Sequence, residues 1–207
     1  MKQLATERII LRSFFLWDLP DFYDYAKNPV VGPMAGWKPH ESMQESEAVL
    51  REMIAKENVW AIEDKESGRV IGSVGLHPDP KRVMDPTRVR MLGYGLKPSY
   101  WGRGLMTEVC REVLRYAFEE LELELVSAFH YPGNQRSQRV IEKLGFYYEG
   151  ILRNASVLPD GEVTGNVCYS MTCEEYHRKR CCNYGLTREN TPVSVQESDR
   201  AFATFRP

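Results

Sequence analysis

The hydrophobic and polar residues of the chain follow two alternating periods, that of an α-helix and that of a β-strand. Four segments place apolar residues on one face of a helix: 19–26, 42–56, 105–121 and 134–145. Short aliphatic runs typical of strands separate them: 8–13, 59–63, 70–76, 91–96, 124–129, 146–151 and 166–171. The pattern therefore predicts a protein in which helices and strands are mixed.

Local signals set several of the boundaries. The runs 59–63 and 70–76 are joined by a short polar turn, which predicts an antiparallel hairpin. Capping boxes at 42–45 and 172–175, each with a hydroxyl residue three positions before a glutamate, predict the starts of two helices. The segment 78–88 carries three prolines and many charges, so we expect an exposed loop there.

Composition limits the number of domains, the location and the ligands. A chain of 207 residues with 43% hydrophobic content fills one core, so we predict one domain over 1–182 and a polar tail, mobile or docked, over 183–207. The net charge of −2 gives no reason to expect nucleic acid as a partner. No apolar run is long enough to span a membrane and the N-terminus lacks a signal-peptide core, which predicts a cytoplasmic protein without a membrane partner. Five cysteines without CxxC spacing indicate neither a metal site nor a disulfide framework.

The stretch PSYWGRGLMTE at 98–108 joins a strand to a long helix and contains the first candidate binding residues. A helix N-terminus presents unpaired backbone N–H groups and the positive end of the helix dipole, which together bind anions. Gly102 and Gly104 let a phosphate approach the backbone, and Arg103 adds a cation, so the loop suits a pyrophosphate. An ordinary strand-to-helix turn fits WGRG equally well. A Rossmann site fits less well, because the third glycine is absent, and the absence of GK[ST] excludes a Walker loop.

Three ordered motifs resemble the GNAT acyltransferase superfamily, in particular its Rim-type branch of ribosomal-protein N-terminal acetyltransferases. They are LGYGL at 92–96, YWGRGLMTE at 100–108 and NQRSQRVIEKLGF at 134–146, and the resemblance extends over about residues 6–180. It implies an α+β fold with a mixed, mostly antiparallel sheet that is splayed between the strands 91–96 and 124–129. Acetyl-CoA would lie in that opening and give its acetyl group to a primary amine, either a protein N-terminus or a small molecule.

The same resemblance implies the cofactor contacts. Backbone N–H groups of residues 102–107 would hold the pyrophosphate, and the strand 91–96 would pair with the pantetheine arm. The implied cofactor-binding residues are Leu92, Gly93, Tyr94, Gly95, Leu96, Trp101, Gly102, Arg103, Gly104, Leu105, Met106, Thr107, Asn134 and Ser137. In the loop, Trp101 and Met106 depart from the superfamily's usual motif. At two catalytic positions, Met91 replaces a glutamate base of many relatives and Ile141 replaces a tyrosine acid. A rival interpretation is therefore a GNAT-fold module that binds CoA without catalysis.

Acetyl transfer requires a neutral amine, a dipole for the developing oxyanion and a proton donor for the leaving thiolate. An α-amino group with a pKa of about 7.7–8.0 is partly neutral near pH 7.5, whereas a lysine near 10.4 is almost entirely protonated. A low-pKa amine would therefore react without a strong base. A strand N–H near residues 92–93 is the candidate dipole.

Four residues are candidate catalytic residues: Ser137, Asn134, His130 and Tyr131. Ser137 lies three residues after the Asn134 cap, a position from which it would donate a proton to sulfur, although a plain first-turn role is an equal alternative. His130 and Tyr131 end the strand 124–129, so a histidine base is the alternative to base-free attack. His40 and His77 would face the acceptor. The sequence leaves open whether the protein forms a homodimer.

Overall fold

The computed structural model describes residues 1–82, 85 and 87–183. The predicted tail beyond residue 183, and residues 83, 84 and 86 of the predicted loop, lie outside the described residues. No helix within the described part is both long and apolar enough to cross a membrane.

Eight strands of the described chain form one sheet in the order β1-β2-β3-β4-β5-β6-β8-β7. Their bounds are β1 Leu4–Ala5, β2 Ile9–Arg12, β3 Val59–Asp64, β4 Val70–His77, β5 Val89–Leu96, β6 Leu125–His130, β7 Tyr147–Val157 and β8 Val163–Thr172. Every neighbouring pair is antiparallel except β5 and β6, which are parallel. This mixed, mostly antiparallel sheet confirms the expected α+β fold.

Strands β5 and β6 separate part-way along their length. They pair only through residues 89–91 and 125–127, although β5 continues to Leu96 and β6 to His130. Strands that part in this way leave N–H and C=O groups on their facing edges without a ladder partner. The predicted splay of the sheet is therefore confirmed, and it creates an opening inside the domain.

Helices cover both faces of the sheet. Their bounds are α1 Leu19–Ala26, α2 Gly32–Ala35, α3 Met43–Lys56, α4 Leu105–Glu119, α5 Gln135–Leu144 and α6 Cys173–Asn183. The core beneath α4 contains Val109 and Val113, both fully buried. On the other face, α1 and α3 pack around Phe22 and Leu50. We call these two sides the α4 face and the α1 face.

Successive side chains of β5 point to opposite faces of the sheet, as strand geometry requires. Leu92 and Leu96 belong to the core on the α4 face. Gly95 points to the α1 face, where a Cβ would lie 2.8 Å from the ring of Trp37. The same strand therefore contributes apolar side chains to one core and a bare backbone to the opposite face.

The predicted elements occur at the predicted places, with longer strands near the C-terminus. Strand β7 extends beyond the predicted 146–151, and β8 extends beyond the predicted 166–171. The sequence pattern underestimates their length, because a bulge next to Gly150 and a second irregularity interrupt the alternation of β7. The capping box before α6 is reciprocal. The Glu175 N–H donates to Thr172 Oγ1 at 3.3 Å, and the Thr172 N–H donates to the Glu175 carboxylate at 2.8 Å.

The box at 42–45 forms only one of its two expected bonds. Ser42 accepts the Glu45 N–H at 3.1 Å, but the Glu45 carboxylate accepts the N–H of Glu41 rather than that of Ser42. The sequence pattern also misses β1 and α2, which are too short to show a period. The omission of α2 matters, because this helix forms one wall of the candidate site.

Candidate active site

The loop before α4 has the backbone geometry of an anion site. Gly102 and Gly104 have φ angles of 78° and 77°, a left-handed region that favours glycine. Gly104 is the N-cap of α4, and its carbonyl accepts the first helical hydrogen bond from the Glu108 N–H at 3.1 Å. The N–H groups of residues 105–107 precede that bond and have no acceptor within the helix.

A cleft of about 430 Å³ opens in front of this loop, between α2, β5, α4 and α5. The predicted cofactor residues that line it are Tyr94, Gly95, Leu96, Trp101, Gly102, Gly104, Leu105, Met106, Thr107, Asn134 and Ser137. Three cations of α5, namely Arg136, Arg139 and Lys143, line it as well. A helix N-terminus, three cations and an apolar wall from α2 fit an acyl-CoA, whose phosphates are anionic and whose acyl arm is uncharged.

The remaining three predicted cofactor residues do not line the cleft. The Arg103 guanidinium lies 4.9 Å from the ring centroid of Tyr100, and the Leu92 side chain belongs to the core. Gly93 points to the α1 face, where a Cβ would lie 3.1 Å from the ring of His77. Any contact from Leu92 or Gly93 to a ligand therefore comes from the backbone.

The register of β4 and β5 indicates which backbone groups face the opening. The Lys97 N–H donates to the Ile71 carbonyl at 2.8 Å, so the alternate residues 93 and 95 also bond to β4. The N–H and C=O groups of Leu92 and Tyr94 then point away from β4, towards the gap. These groups form an open strand edge next to the cleft.

Trp101 closes the outer end of that edge. Its indole N–H donates to the Leu96 carbonyl at 2.8 Å, and the Arg136 guanidinium lies 4.3 Å from the ring centroid. The indole therefore positions a cation of α5 beside the loop before α4 (residues 98–104), which we call the phosphate loop. A polar residue in place of Trp101 would leave that cation without its aromatic partner.

Two hydroxyl groups meet inside the cleft. Tyr94 Oη lies 2.9 Å from Ser137 Oγ, and either atom can be the donor. Burial raises the pKa of the Tyr94 phenol well above its usual value, so the phenol keeps its proton at neutral pH. The pair can thus deliver a proton to an atom bound in the cleft.

Asn134 has two separate roles at the start of α5. Its Oδ1 accepts the Ser137 N–H at 3.2 Å, which caps the helix and places Ser137 in the first turn. Its Nδ2 donates to the Met34 carbonyl of α2 at 3.1 Å. One side chain therefore positions the serine and joins two walls of the cleft.

A distant contact that the sequence does not reveal holds the phosphate loop. Glu108, in the first turn of α4, accepts hydrogen bonds from the Arg8 backbone at 3.1 Å and the Arg8 side chain at 2.8 Å. Arg8 also donates to the Arg103 carbonyl at 3.1 Å. Burial opposes ionisation of Glu108, but the bonds from Thr6 and Arg8 outweigh it and lower the pKa of the carboxyl.

His130 and Tyr131 are buried and do not line the cleft. His130 Nδ1 lies 2.9 Å from the Tyr131 carbonyl, which can only accept, so Nδ1 carries the proton. The other nitrogen, Nε2, lies 3.5 Å from the Tyr169 hydroxyl. The structure therefore brings Ser137 and Asn134 together in the cleft and leaves His130 and Tyr131 outside it.

A second cleft, of about 350 Å³, begins where β5 and β6 part, because Met91 and Ser127 line it. The loop expected to be exposed contributes Asp79, whose side chain is only 3% exposed and accepts the Ser127 hydroxyl at 2.5 Å. Arg82 forms ion pairs with both Asp79 and Glu149. The negative charges of Asp79 and Glu149 are thus balanced by the Arg82 guanidinium.

The chain matches the family model described as "Acetyltransferase (GNAT) domain" over residues 8–147. It is 29% identical to the uncharacterized N-acetyltransferase YoaA of Bacillus subtilis (strain 168) over 155 residues, which cover 72% of this chain and 85% of that protein. It is 32% identical over 113 residues to the "Putative ribosomal N-acetyltransferase YdaF" of the same strain, covering 55% of this chain and 59% of that protein. A GNAT-family acetyltransferase structure from Bacillus anthracis superposes with a TM-score of 0.73 at 19% identity, covering 84% of this chain and all of that one. The family match, the splayed sheet and the anion site agree, and the chain belongs to the GNAT family of acetyl-CoA-dependent N-acetyltransferases.

Proposed function

We infer that this N-acetyltransferase moves the acetyl group directly from acetyl-CoA to a primary amine while both substrates are bound. The observation that carries the inference is the cleft in which a helix N-terminus, an open strand edge and the Tyr94–Ser137 hydroxyl pair converge. We assign the activity to a single domain over residues 1–182. Acetyl-CoA supplies the acetyl group as an activated thioester.

The residues around the cleft have distinct roles in holding the donor. The N–H groups of residues 105–107 and the cations Arg136 and Arg139 bind the phosphates, because each places positive charge at the phosphate loop. The backbone groups of Leu92 and Tyr94 accept the amide-containing arm as a strand partner. An N–H of the same edge, at Leu92, stabilises the negative charge that develops on the carbonyl oxygen.

Ser137 donates a proton to the sulfur as the carbon–sulfur bond breaks. Its backbone N–H is held by the Asn134 cap, and its hydroxyl is held by the Tyr94 hydroxyl beside it. When Ser137 gives up its proton, Tyr94 restores the hydrogen bond by donating its own. This relay explains why Ser137 can act although Ile141, in the core, replaces the tyrosine of many relatives.

The acceptor that the site supports best is an α-amine, such as a protein N-terminus. Met91 cannot remove a proton, and the carboxylates of the second cleft are paired with Arg82. An amine that is already partly neutral therefore has the advantage. Similarity to a relative whose name describes a ribosomal N-acetyltransferase supports a protein acceptor.

The experiment that tests the inference measures thiol release from acetyl-CoA as candidate amines are added. We expect release with peptides that carry a free N-terminus and none with the same peptides blocked at that end. Calorimetry with acetyl-CoA alone is the control for binding. Tight binding without thiol release from any amine would instead favour a CoA-binding module without catalysis, the alternative suggested by Met91 and Ile141.

A further inference from the structure

Three of the four histidines are unsuited to removing a proton from an amine in the opening. His130 is buried, with its proton on the nitrogen that faces a carbonyl. His40 is buried and lies 2.7 Å from the Ser46 hydroxyl through Nδ1. His177 is exposed on α6, which packs on β8 rather than on β5. Among the four, only His77 lies next to β5.

His77 lies at the level where β5 and β6 part. It pairs across β4 and β5 with Met91, the last residue of β5 that also pairs with β6. Two glycines on adjacent strands make room for its ring. A Cβ at Gly75 would lie 2.8 Å from Nε2, and a Cβ at Gly93 would lie 3.2 Å from the same atom.

The two ring nitrogens of His77 differ in their surroundings. Nδ1 lies 3.5 Å from the Asn58 side-chain nitrogen; with that amide turned by half a rotation, its oxygen takes this place and accepts the Nδ1 proton. Nε2 has no hydrogen-bond partner among the residues that the structure describes. With the proton on Nδ1, the lone pair of Nε2 is free beside Gly93, one residue from the Leu92 and Tyr94 groups that face the gap.

We propose that His77 is the general base of the reaction, an inference that rests on the proposed acetyl transfer. Nε2 takes one proton from the attacking ammonium, directly or through one water, and later releases it to solvent. The nitrogen then forms the bond to the acetyl carbon, while the bond from that carbon to sulfur breaks. The second nitrogen proton leaves with the thiol through Ser137, so that ammonium and thioester give amide, thiol and one proton.

The environment keeps His77 in the neutral form that a base requires. Burial lowers the pKa of the imidazole, and the nearby Lys56 ammonium at the end of α3 lowers it further. The neighbours on its own and the adjoining strand are Gly75, Met91 and Gly93, none of which titrates. Near neutral pH the ring is therefore unprotonated and able to accept a proton.

The test combines a pH profile with a direct titration of the imidazole. The kcat/KM of thiol release is measured against pH with two amines of different pKa, for the wild type, His77→Gln and the control His177→Gln. The His77 imidazole is titrated in the free enzyme by proton NMR, with its signal assigned by its loss in His77→Gln. We expect an inflection that is the same for both amines, coincides with the NMR midpoint and is retained in His177→Gln.

In His77→Gln we expect kcat/KM at pH 7 to fall about 100-fold and the inflection to vanish. The affinity for acetyl-CoA should stay unchanged by calorimetry, and added imidazole should restore part of the rate in His77→Ala. A profile whose only inflection moves with the amine, or an inflection at the His77 midpoint that survives in His77→Gln, would overturn the base assignment and leave acetyl transfer intact. A wild type that releases no thiol with any amine would refute the proposed function, and the base with it.

Discussion

The two ends of the reaction site are built in opposite ways. At the donor end, the proposed anion site comes from one continuous segment, residues 102–107, and offers backbone N–H groups at the start of α4. At the end that we propose for the acceptor, the second cleft joins the loop around Asp79, strand β6 and strand β7, with Arg82 linking two carboxylates across it. His77 on β4 pairs with Met91, which lines this cleft.

This difference determines how each end responds to substitution. A backbone anion site tolerates many side chains and depends on the conformation of two glycines, so changes there should alter affinity for the donor. The acceptor end depends on individual side chains brought together by the sheet, so changes there should alter turnover and amine preference. Four predictions test this division.

The largest effect should be a preference for acceptors of low pKa. Near pH 7.5 an α-amine is about 250-fold more often neutral than a lysine side chain, so we expect kcat/KM for a peptide N-terminus to exceed that for lysine by about 100-fold. Matched peptides, one blocked at the N-terminus and one without lysine, provide the measurement. Equal rates for both would show that the acceptor end binds the amine strongly enough to cancel its ionisation cost.

Ser137→Ala should lower kcat by about 50-fold, within the usual range for a lost acid or base but softened by the remaining Tyr94 hydroxyl. The dissociation constant for acetyl-CoA should change less than threefold, because the group acts mainly in the transition state. Ser46→Ala is the matched control, since it removes a buried serine bonded to His40, away from the cleft. Weaker binding with a normal kcat would make Ser137 a cofactor ligand only.

Gly104→Val should weaken acetyl-CoA binding at least tenfold, about 1.4 kcal/mol, by shifting the backbone of the anion site. Gly68→Val is the control, because Gly68 has a similar φ of 66° in the turn between β3 and β4 and no atom near its Cβ position. Both variants should lose similar stability in thermal melts, and only the first should lose affinity. Unchanged calorimetry for Gly104→Val would contradict the anion site.

The smallest effect should come from the anchor of the phosphate loop. The pKa of Glu108 is lowered in the folded protein, so its stabilising effect is complete above its unfolded value of about 4.3 and disappears as the pH falls through the folded value. At pH 7 we expect Glu108→Gln to cost about 1 kcal/mol in urea unfolding. That difference should shrink as the pH falls below the unfolded value and through the lowered folded one. The control Glu47→Gln breaks an exposed helical ion pair with Arg51, and it should lower the free energy of unfolding by at most a few tenths of a kcal/mol.

How much the sequence predicts follows the same division. The fold and the donor end are predictable, because helix periods, capping residues and the 98–108 motif are local in the chain. The Arg8–Glu108 anchor spans 100 residues and the Tyr94–Ser137 pair 43, so no local pattern reveals either. Likewise, α2 has four residues and no period, and His77 gains its position from Gly75 and Gly93 on two different strands.

The gap between β5 and β6 gives the domain an edge strand in its interior. Sheet edges normally invite another chain, and proteins protect them with charge, proline or a covering segment. Here the edge at Leu92 and Tyr94 lies inside the domain, beside the cleft formed with α2, α4 and α5. The donor molecule would therefore complete the sheet as a missing strand would, and the saturated enzyme would be the more stable form by mass action. Substrate supply and enzyme lifetime in the cell would then rise and fall together.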